Sequence, residues 1–109
     1  MGIPSVGTVI LVPFPFANLS RHKMRPALVV AHAEFNNVIV CQITTNPYSS
    51  KKAIVLQESD FARGNLKAVS YIRPDKLSTL ETGLIRAELA EINSQKQRQV
   101  KTALIKLFG

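Results

Sequence analysis

The segment GTVILVPFPFANLSRHKMRPALVV, residues 7–30, decides the fold of this chain. It consists of two apolar runs that flank a polar, basic loop. The first run, residues 8–12, is rich in β-branched residues and leucine and stops before two prolines. The second run, residues 27–31, is apolar throughout, which favours a strand that is buried on both faces. The segment therefore predicts a β-hairpin whose connecting loop carries positive charge.

The loop of this hairpin concentrates basic side chains. Arg21, His22, Lys23 and Arg25 occur there with no acidic residue among them. Arginine can bind two phosphate oxygens at once, and lysine adds a further positive charge. Arg25 is the strongest candidate, because Pro26 biases it toward an extended backbone and the second strand fixes its position. The base of the hairpin is thus a predicted phosphate site.

The composition indicates one folded domain with an excess of positive charge. The chain has 109 residues, which fits a single domain over residues 1–109. Hydrophobic residues make up 46% of it, too large a share for a disordered protein. The formal net charge is +7. This excess favours an anionic partner, with nucleic acid as the first choice, an acidic protein second and an anionic membrane surface third.

The single cysteine, Cys41, lies inside an apolar run. A lone cysteine forms no disulfide within the chain, and with two histidines it is too little for a structural zinc cluster. We therefore expect a core cysteine in a protein of a reducing compartment, with no metal or other cofactor. No apolar run is long enough to cross a membrane, and the N-terminus does not fit a secretory leader. These features favour a cytoplasmic protein that does not contact a membrane.

Further strands and turns are predicted downstream of the hairpin. Strands are expected at residues 38–44, 53–56 and 66–72, with a short addition at 84–85, and residues 74–80 are ambiguous. Asn36 and Asn37 are expected to form the turn before the first of these strands. Residues 59–64 are expected to hold one helical turn that Gly64 closes.

The C-terminal residues show the clearest helix pattern. Ser94 and Gln97 fit an S-x-x-Q capping box. Four apolar residues follow on one face of the helix, at Val100, Ala103, Leu104 and Leu107. The other face is basic and is expected to be solvated; it contains Gln95, Lys96, Arg98, Gln99 and Lys106. The chain is therefore predicted to be mainly β, a small, strongly curved sheet or barrel with a closing helix near residues 94–107.

Five pieces of the sequence, in this order, resemble the MazF/PemK-like toxins of bacterial type II toxin–antitoxin systems. They are GTVILVPFPFANLS, RPALVV, VIVCQITTN, YIRPDKLSTLETGLI and the amphipathic end helix. The resemblance implies a small SH3-like barrel with appended helices. It also implies a homodimer that cleaves single-stranded RNA without a metal and that is neutralised by an antitoxin with an acidic tail.

The resemblance further implies which residues act. The arginine of the family's RP motif matches Arg25. The threonine that closes the third strand matches Thr44, with Thr45 as the alternative. In PemK-like members an Arg and an Asp two residues apart have catalytic roles, and Arg73 and Asp75 match that pattern. If residues 73–75 are extended, these two side chains lie on one face.

Metal-free RNA cleavage uses the ribose 2′-OH to attack the adjacent phosphate, which leaves a cyclic phosphate and a 5′-OH. Arg25 would stabilise the charge that builds on the phosphoryl oxygens, and Thr44 would donate a hydrogen bond to them. Arg73 would supply a second cation. Asp75 or His22, which could fill the place of an implicated loop histidine, would accept the proton.

A second basic loop is a candidate for RNA contact. Tyr48 is followed closely by Lys51 and Lys52, and aromatic rings beside lysines are a common way to hold single-stranded RNA. The predicted RNA-binding residues are therefore Arg21, His22, Lys23, Tyr48, Lys51 and Lys52.

The same residues also fit purely structural roles. Thr44 fits a strand end, Arg73 and Asp75 fit a surface ion pair, and His22 fits a solvated loop. Two other functions are compatible with the predicted fold. One is a toxin that poisons gyrase, as CcdB-like proteins do, and the other is an SH3-like RNA-binding module without catalysis.

Overall fold

Seven strands and one helix form in residues 2–15, 22–46 and 50–109, which the computed structural model describes; for residues 14, 15 and 22 the description covers the backbone. The strands are β1 (Thr8–Pro15), β2 (His22–Ala33), β3 (Asn37–Thr44), β4 (Ile54–Leu56), β5 (Phe61–Gly64), β6 (Ser70–Glu81) and β7 (Ala87–Ile92), and the helix is α1 (Ser94–Phe108). The strands form one antiparallel sheet in the order β4-β6-β3-β2-β1-β7-β5. This curved half-barrel with one C-terminal helix confirms the predicted mainly β fold.

The β1–β2 hairpin is confirmed, and both of its strands are longer than predicted. β1 continues through Pro13 to Pro15, which pair with Met24 and His22 of β2. The other neighbour of β1, β7, pairs only with residues 8–11. Beyond them, the second side of β1 pairs with no described strand. Proline is tolerated there because it removes no ladder hydrogen bond on that side.

The centre of β2 is buried on both faces, as predicted. Ala27, Leu28 and Val29 are each at most 1% exposed. They alternate between two apolar clusters because successive side chains of a strand point to opposite faces. The helix-side cluster includes Val9, Leu28, Cys41, Ile43, Ile72 and Val100 of α1, whereas the second cluster includes Ile10, Val12, Ala27, Val29, Val38 and Val40. We call the face that carries the second cluster the far face, since it lies opposite α1.

Cys41 is a core residue, as predicted. Burial raises the pKa of its thiol to about 12, and the negative charge of Asp75 adds to this effect. The thiol therefore stays protonated at neutral pH, which leaves it unreactive as a nucleophile.

The turn between β2 and β3 lies at residues 34–36, slightly earlier than predicted. Phe35 and Asn36 both adopt the left-handed backbone conformation, with φ of 62° and 61°. Asn37 is already part of β3, and its side-chain amide donates to the backbone oxygen of Glu34 at 2.9 Å. Two consecutive left-handed residues make a tight turn that suits the twist of antiparallel strands.

β6 departs most from the predicted pattern. A strand was expected at residues 66–72 with 74–80 ambiguous, but the structure has one strand, Ser70–Glu81. It accommodates proline through a bulge, since Gln42 of β3 pairs with Arg73 while Cys41 pairs with Leu77. The residues between them leave the regular ladder, so that the proline there costs no hydrogen bond of the sheet.

Three local predictions are wrong. Residues 59–64 do not form a helical turn closed by glycine; a 3-10 turn, Glu58–Asp60, is followed directly by β5, which pairs with β7. Residues 84–85 do not form a strand, because a second 3-10 turn, Thr82–Leu84, occupies this position. β7 itself was not predicted. Its sequence, AELAEI, has weak strand propensity and becomes a strand by pairing with β1 and β5.

α1 begins as predicted at Ser94, but its cap is different. The capping residue is Asn93, whose side-chain oxygen accepts the backbone N–H of Lys96 at 2.8 Å. The side chain of Gln97 donates instead to the backbone oxygen of Ile92 at 3.3 Å. Asparagine caps helices as well as serine does, so the predicted Ser94–Gln97 capping box is displaced by the residue that precedes it.

Lys96 is buried rather than solvated, which corrects the prediction for this face of α1. Its Nζ donates to the backbone oxygen of Val55 at 3.0 Å and to Oε1 of Gln99 at 2.9 Å, and it lies 3.5 Å from Oδ1 of Asp60. A buried ammonium is tolerated only when such acceptors surround it. Lys96 therefore ties the start of α1 to β4 and to the first 3-10 turn.

We predict that Lys96→Ala lowers the free energy of unfolding by about 1–3 kcal/mol, because its acceptors would lose a charged donor inside the protein. Chemical denaturation monitored by circular dichroism measures the change. Lys101→Ala, at an exposed lysine of the same helix, is the matched control and should shift it by less than about 0.5 kcal/mol. Equal stability of the two variants would show that the buried contacts of Lys96 contribute nothing net.

Candidate functional site

The strand register brings the predicted site residues to one face of the sheet. Gln42 of β3 pairs with Ala27 of β2 on one side and with Arg73 of β6 on the other. Directly opposed residues of neighbouring strands have side chains on the same face, and residues two apart along a strand share a face. Arg25 precedes Ala27 by two positions, and Thr44 follows Gln42 by two. Arg25, Thr44 and Arg73 therefore share the far face.

The far face has an apolar centre and a polar end. Arg25 pairs with Val12 of β1, and Ala27 pairs with Ile10; these three apolar residues belong to the second cluster. Arg25 follows them as the first charged residue along this face. It is half-buried, and its Nε atom is enclosed. Because the surrounding packing restricts the side chain, the guanidinium is held at the border between the core and the polar end of the face.

Thr44 is the last residue of β3 and is only 5% exposed. Its hydroxyl oxygen accepts the backbone N–H of Asn46 at 3.1 Å. This contact fixes the side chain and leaves the hydroxyl proton available for donation. Thr45, the alternative match, lies beyond the end of the strand and is exposed. The placement at the polar end of the far face therefore belongs to Thr44.

Arg73 and Asp75 form a bidentate ion pair. Nε of Arg73 donates to Oδ1 of Asp75 at 3.2 Å, and Nη2 donates to Oδ2 at 3.1 Å. Arg73 is 9% exposed, so this is not the surface ion pair that the sequence left open. The two hydrogen bonds fix the plane of the guanidinium at the edge of the bulge in β6.

The ion pair also sets the acidity of the carboxyl group. The hydrogen bond from Arg73 lowers the pKa of Asp75, burial opposes it, and the charges of Arg73 and Lys52 add to the lowering. A lowered pKa means that Asp75 stabilises the fold above its ordinary value of 3.8, and that this contribution is lost as the pH falls through the folded value. It also makes the carboxylate a weaker base than an unpaired aspartate.

The predicted RNA-binding lysines are all exposed. Lys23 is two residues before Arg25 on β2 and shares its face, while Lys51 and Lys52 precede β4. The charge of Lys52 acts on Asp75. The structure thus brings Lys52 toward the Arg73–Asp75 pair and Lys23 toward Arg25. Arg21 and Tyr48 lie outside the described residues, as does the side chain of His22.

Sequence reasoning missed two polar residues of the far face, Gln42 and Tyr71. Gln42 lies between Ala27 and Arg73 in the ladder, and Tyr71 pairs with Thr44; both side chains are half-buried. The period-two pattern that ends at Thr44 points to Gln42. Tyr71 could be found only from the register between β3 and β6, which the bulge obscures in the sequence.

The described part of the chain holds no group of three or more His, Cys, Asp and Glu side chains arranged to bind a metal ion. Its cationic groups on the far face are instead guanidinium and ammonium ions. Its helices were also compared with the requirements for crossing a membrane, and none of them is both long and apolar enough.

A small curved sheet that gathers two arginines, a buried threonine and a paired carboxylate on one face defines a basic β protein suited to bind an anion. Residues 5–108 match the profile of a family described as PemK-like, MazF-like toxin of type II toxin–antitoxin system. The chain therefore belongs to this toxin family. No curated protein sequence matches it significantly.

Solved structures with the same fold cover nearly the whole chain. MazF from Deinococcus radiodurans superposes with a TM-score of 0.76 at 24% identity, over 100% of this chain and 99% of that one. An endoribonuclease in complex with its cognate antitoxin, from a mycobacterial species, gives 0.76 at 19% identity, over 100% and 96%. Mycobacterium tuberculosis toxin MazF-mt6 gives 0.71 at 15% identity, over 93% and 95%. At these identities the likeness establishes the fold.

Proposed function

We propose that this toxin is a metal-independent endoribonuclease that cleaves single-stranded RNA in the cytoplasm. The observation that carries the proposal is the placement of Arg25, Thr44 and Arg73 on one face at the polar end of the sheet. Two guanidinium groups there would supply the positive charge that a cleaving phosphate needs. The fold is shared with proteins described as endoribonucleases, which supports the same assignment.

In the proposed reaction, the ribose 2′-OH attacks the adjacent phosphorus and displaces the 5′-oxygen of the next nucleotide. The products are a 2′,3′-cyclic phosphate and a free 5′-OH. Arg25 binds the non-bridging oxygens as their charge increases, and Thr44 donates its hydroxyl proton to the same group. Arg73, oriented by its two hydrogen bonds to Asp75, adds the second cation.

The proton of the 2′-OH needs an acceptor, and two residues compete for this role. Asp75 carries a full charge at neutral pH, but its pKa is lowered and both carboxylate oxygens already accept hydrogen bonds from Arg73. These contacts favour a positioning role. His22 has an ordinary pKa of about 6.5, which is matched to proton transfer near neutrality.

The exposed lysines would extend the binding surface along the RNA backbone. Lys23 and Lys52 are proposed to contact phosphates on either side of the cleaved bond, together with Lys51. Arg21, His22 and Tyr48 are proposed as further RNA contacts on the sequence pattern alone. The partner antitoxin is proposed to inhibit by laying an acidic tail over the same cationic face, since carboxylates would compete for the positions of the phosphates.

A cleavage assay in excess EDTA tests the proposed activity. Purified protein should cut a long single-stranded RNA into discrete fragments, and primer extension should locate each cut. Fragments with a cyclic phosphate and a 5′-OH are the expected products; a 5′-phosphate end would contradict attack by the 2′-OH. RNA that shifts in mobility but stays intact would identify a binding module without catalysis. Inhibition of gyrase by a protein that leaves RNA intact would identify a CcdB-like toxin.

We also predict a homodimer, joined through the C-terminal part of α1. Ile105 and Phe108 are 61% and 76% exposed, and Val6, at 42%, lines a shallow pocket with Leu104. Exposed apolar side chains on one element are typical of an association surface. Light scattering at micromolar concentration should give the dimer mass, and Ile105→Glu with Phe108→Glu should give the monomer. A monomeric wild-type protein would refute the prediction.

A further inference from the structure

A groove runs between α1 and the segment that leads into β4, on the helix side of the sheet. Its volume is about 730 Å³. Its rim carries Lys51, Lys52, Arg98 and Lys106, and its aliphatic walls include Ile54 and Leu107. Arg25 and Thr44 lie on the far face, so this helix groove is separate from the proposed catalytic face, although Lys52 borders both.

The lining of the helix groove combines one sign of charge with aliphatic surface. It has four cationic side chains, and none of the described lining residues is acidic or aromatic. On α1 the lining forms two adjacent stripes, because residues four apart share a face of a helix. One stripe holds Arg98, Thr102 and Lys106, and the other holds Gln99, Ala103 and Leu107. The basic face of the helix is therefore one wall of a groove and not simply a solvated surface.

We propose that the helix groove docks an acidic segment of a partner protein, with its aliphatic side chains on the groove walls and its carboxylates at the basic rim. Charge complementarity identifies the partner as an anion, and the aliphatic walls around Ile54 and Leu107 identify it as one with apolar side chains. An RNA strand fits less well, because single-stranded nucleic acid is usually held by stacking its bases on aromatic rings. The groove would add a contact surface that leaves the far face open.

The dimensions suit a short linear segment. Arg98 and Lys106 are eight residues apart on α1, which corresponds to about 12 Å at the helical rise. An extended peptide covers that distance with about four residues. Alternating acidic and aliphatic residues would direct carboxylates to the rim on one side and apolar side chains to the wall on the other.

Fluorescence anisotropy with a labelled peptide of alternating Glu and Leu tests the proposal. The wild-type protein should bind this peptide, and Arg98→Glu with Lys106→Glu should weaken binding by about tenfold or more. The matched control is Lys67→Glu with Arg86→Glu, which changes the net charge equally at two exposed residues outside the groove. The control should stay within about twofold of wild type. Equal weakening by both pairs would overturn the proposal, since net charge alone would then explain binding.

Two further probes separate the remaining explanations. A peptide of alternating Glu and Gly keeps the charge without the aliphatic side chains, and binding as tight as that of the Glu–Leu peptide would overturn the role of the walls. A labelled single-stranded oligodeoxynucleotide that depends on Arg98 and Lys106 while the Glu–Leu peptide does not would assign the groove to nucleic acid. If the charge-reversed pair does not fold, Thr102→Glu introduces one carboxylate at an exposed groove residue and should weaken the Glu–Leu peptide. Peptide binding is measured without RNA, so its outcome is independent of the proposed cleavage activity.

Discussion

Arg25→Ala is expected to lower RNA cleavage by about 10²–10³-fold, the effect typical of removing one group that stabilises charge in a transition state. Arg25 lies at the polar end of the far face, half-buried beside Thr44 and opposite Val12. Its guanidinium cannot be replaced by a neutral side chain in binding a phosphoryl oxygen. Single-turnover cleavage of a short RNA in EDTA measures the loss directly.

The same experiment needs a control for arginine loss and for stability. Arg63→Ala removes an arginine from β5, at the opposite edge of the sheet, where it makes only an exposed ion pair with Glu91 at 3.5 Å. This variant should cleave like the wild type, because exposed ion pairs contribute little to the fold. Thermal denaturation should show that Arg25→Ala stays folded. Full activity of folded Arg25→Ala would remove Arg25 from the catalytic site.

The strands that the sequence predicts well are those whose burial dominates their pattern. The centre of β2, Ala27 to Val29, is apolar at every position because it contributes to two cores at once. Both β2 and the helix were therefore predictable from local pattern. β7 was missed because AELAEI has the composition of a helix and is held as a strand by its two neighbours.

The candidate site is predictable in its residues but not in its geometry. Period-two alternation places Arg73 and Asp75 on one face, and the structure shows their two hydrogen bonds. The relation of Arg73 to Gln42 depends on the bulge in β6, and no local signal gives its position. Long-range contacts likewise decide the state of Lys96, which helical periodicity alone assigns to the solvated face.

The Arg73–Asp75 pair separates a cation that acts on the phosphate from a carboxylate that positions it. We expect Arg73→Ala to lower cleavage by about 100-fold, since it removes the second positive charge of the proposed site. Asp75→Asn should lower cleavage only about tenfold, because the amide oxygen still accepts one hydrogen bond from Arg73 while the charge of the partner is lost. Single-turnover rates of both variants, measured beside the wild type, give the comparison.

The pH dependence of the same variants identifies the base. The pKa of Asp75 is lowered from 3.8, so this carboxylate stays ionised and its protonation cannot reduce the rate between pH 7 and about pH 5. If His22 is the base, wild type and Asp75→Asn should both lose rate below about pH 6.5, and His22→Ala should abolish that pH dependence. If Asp75 is the base, the wild-type rate should be flat over this range. Asp75→Asn would then lose as much activity as Arg73→Ala or more, which would overturn its assignment as a positioning residue.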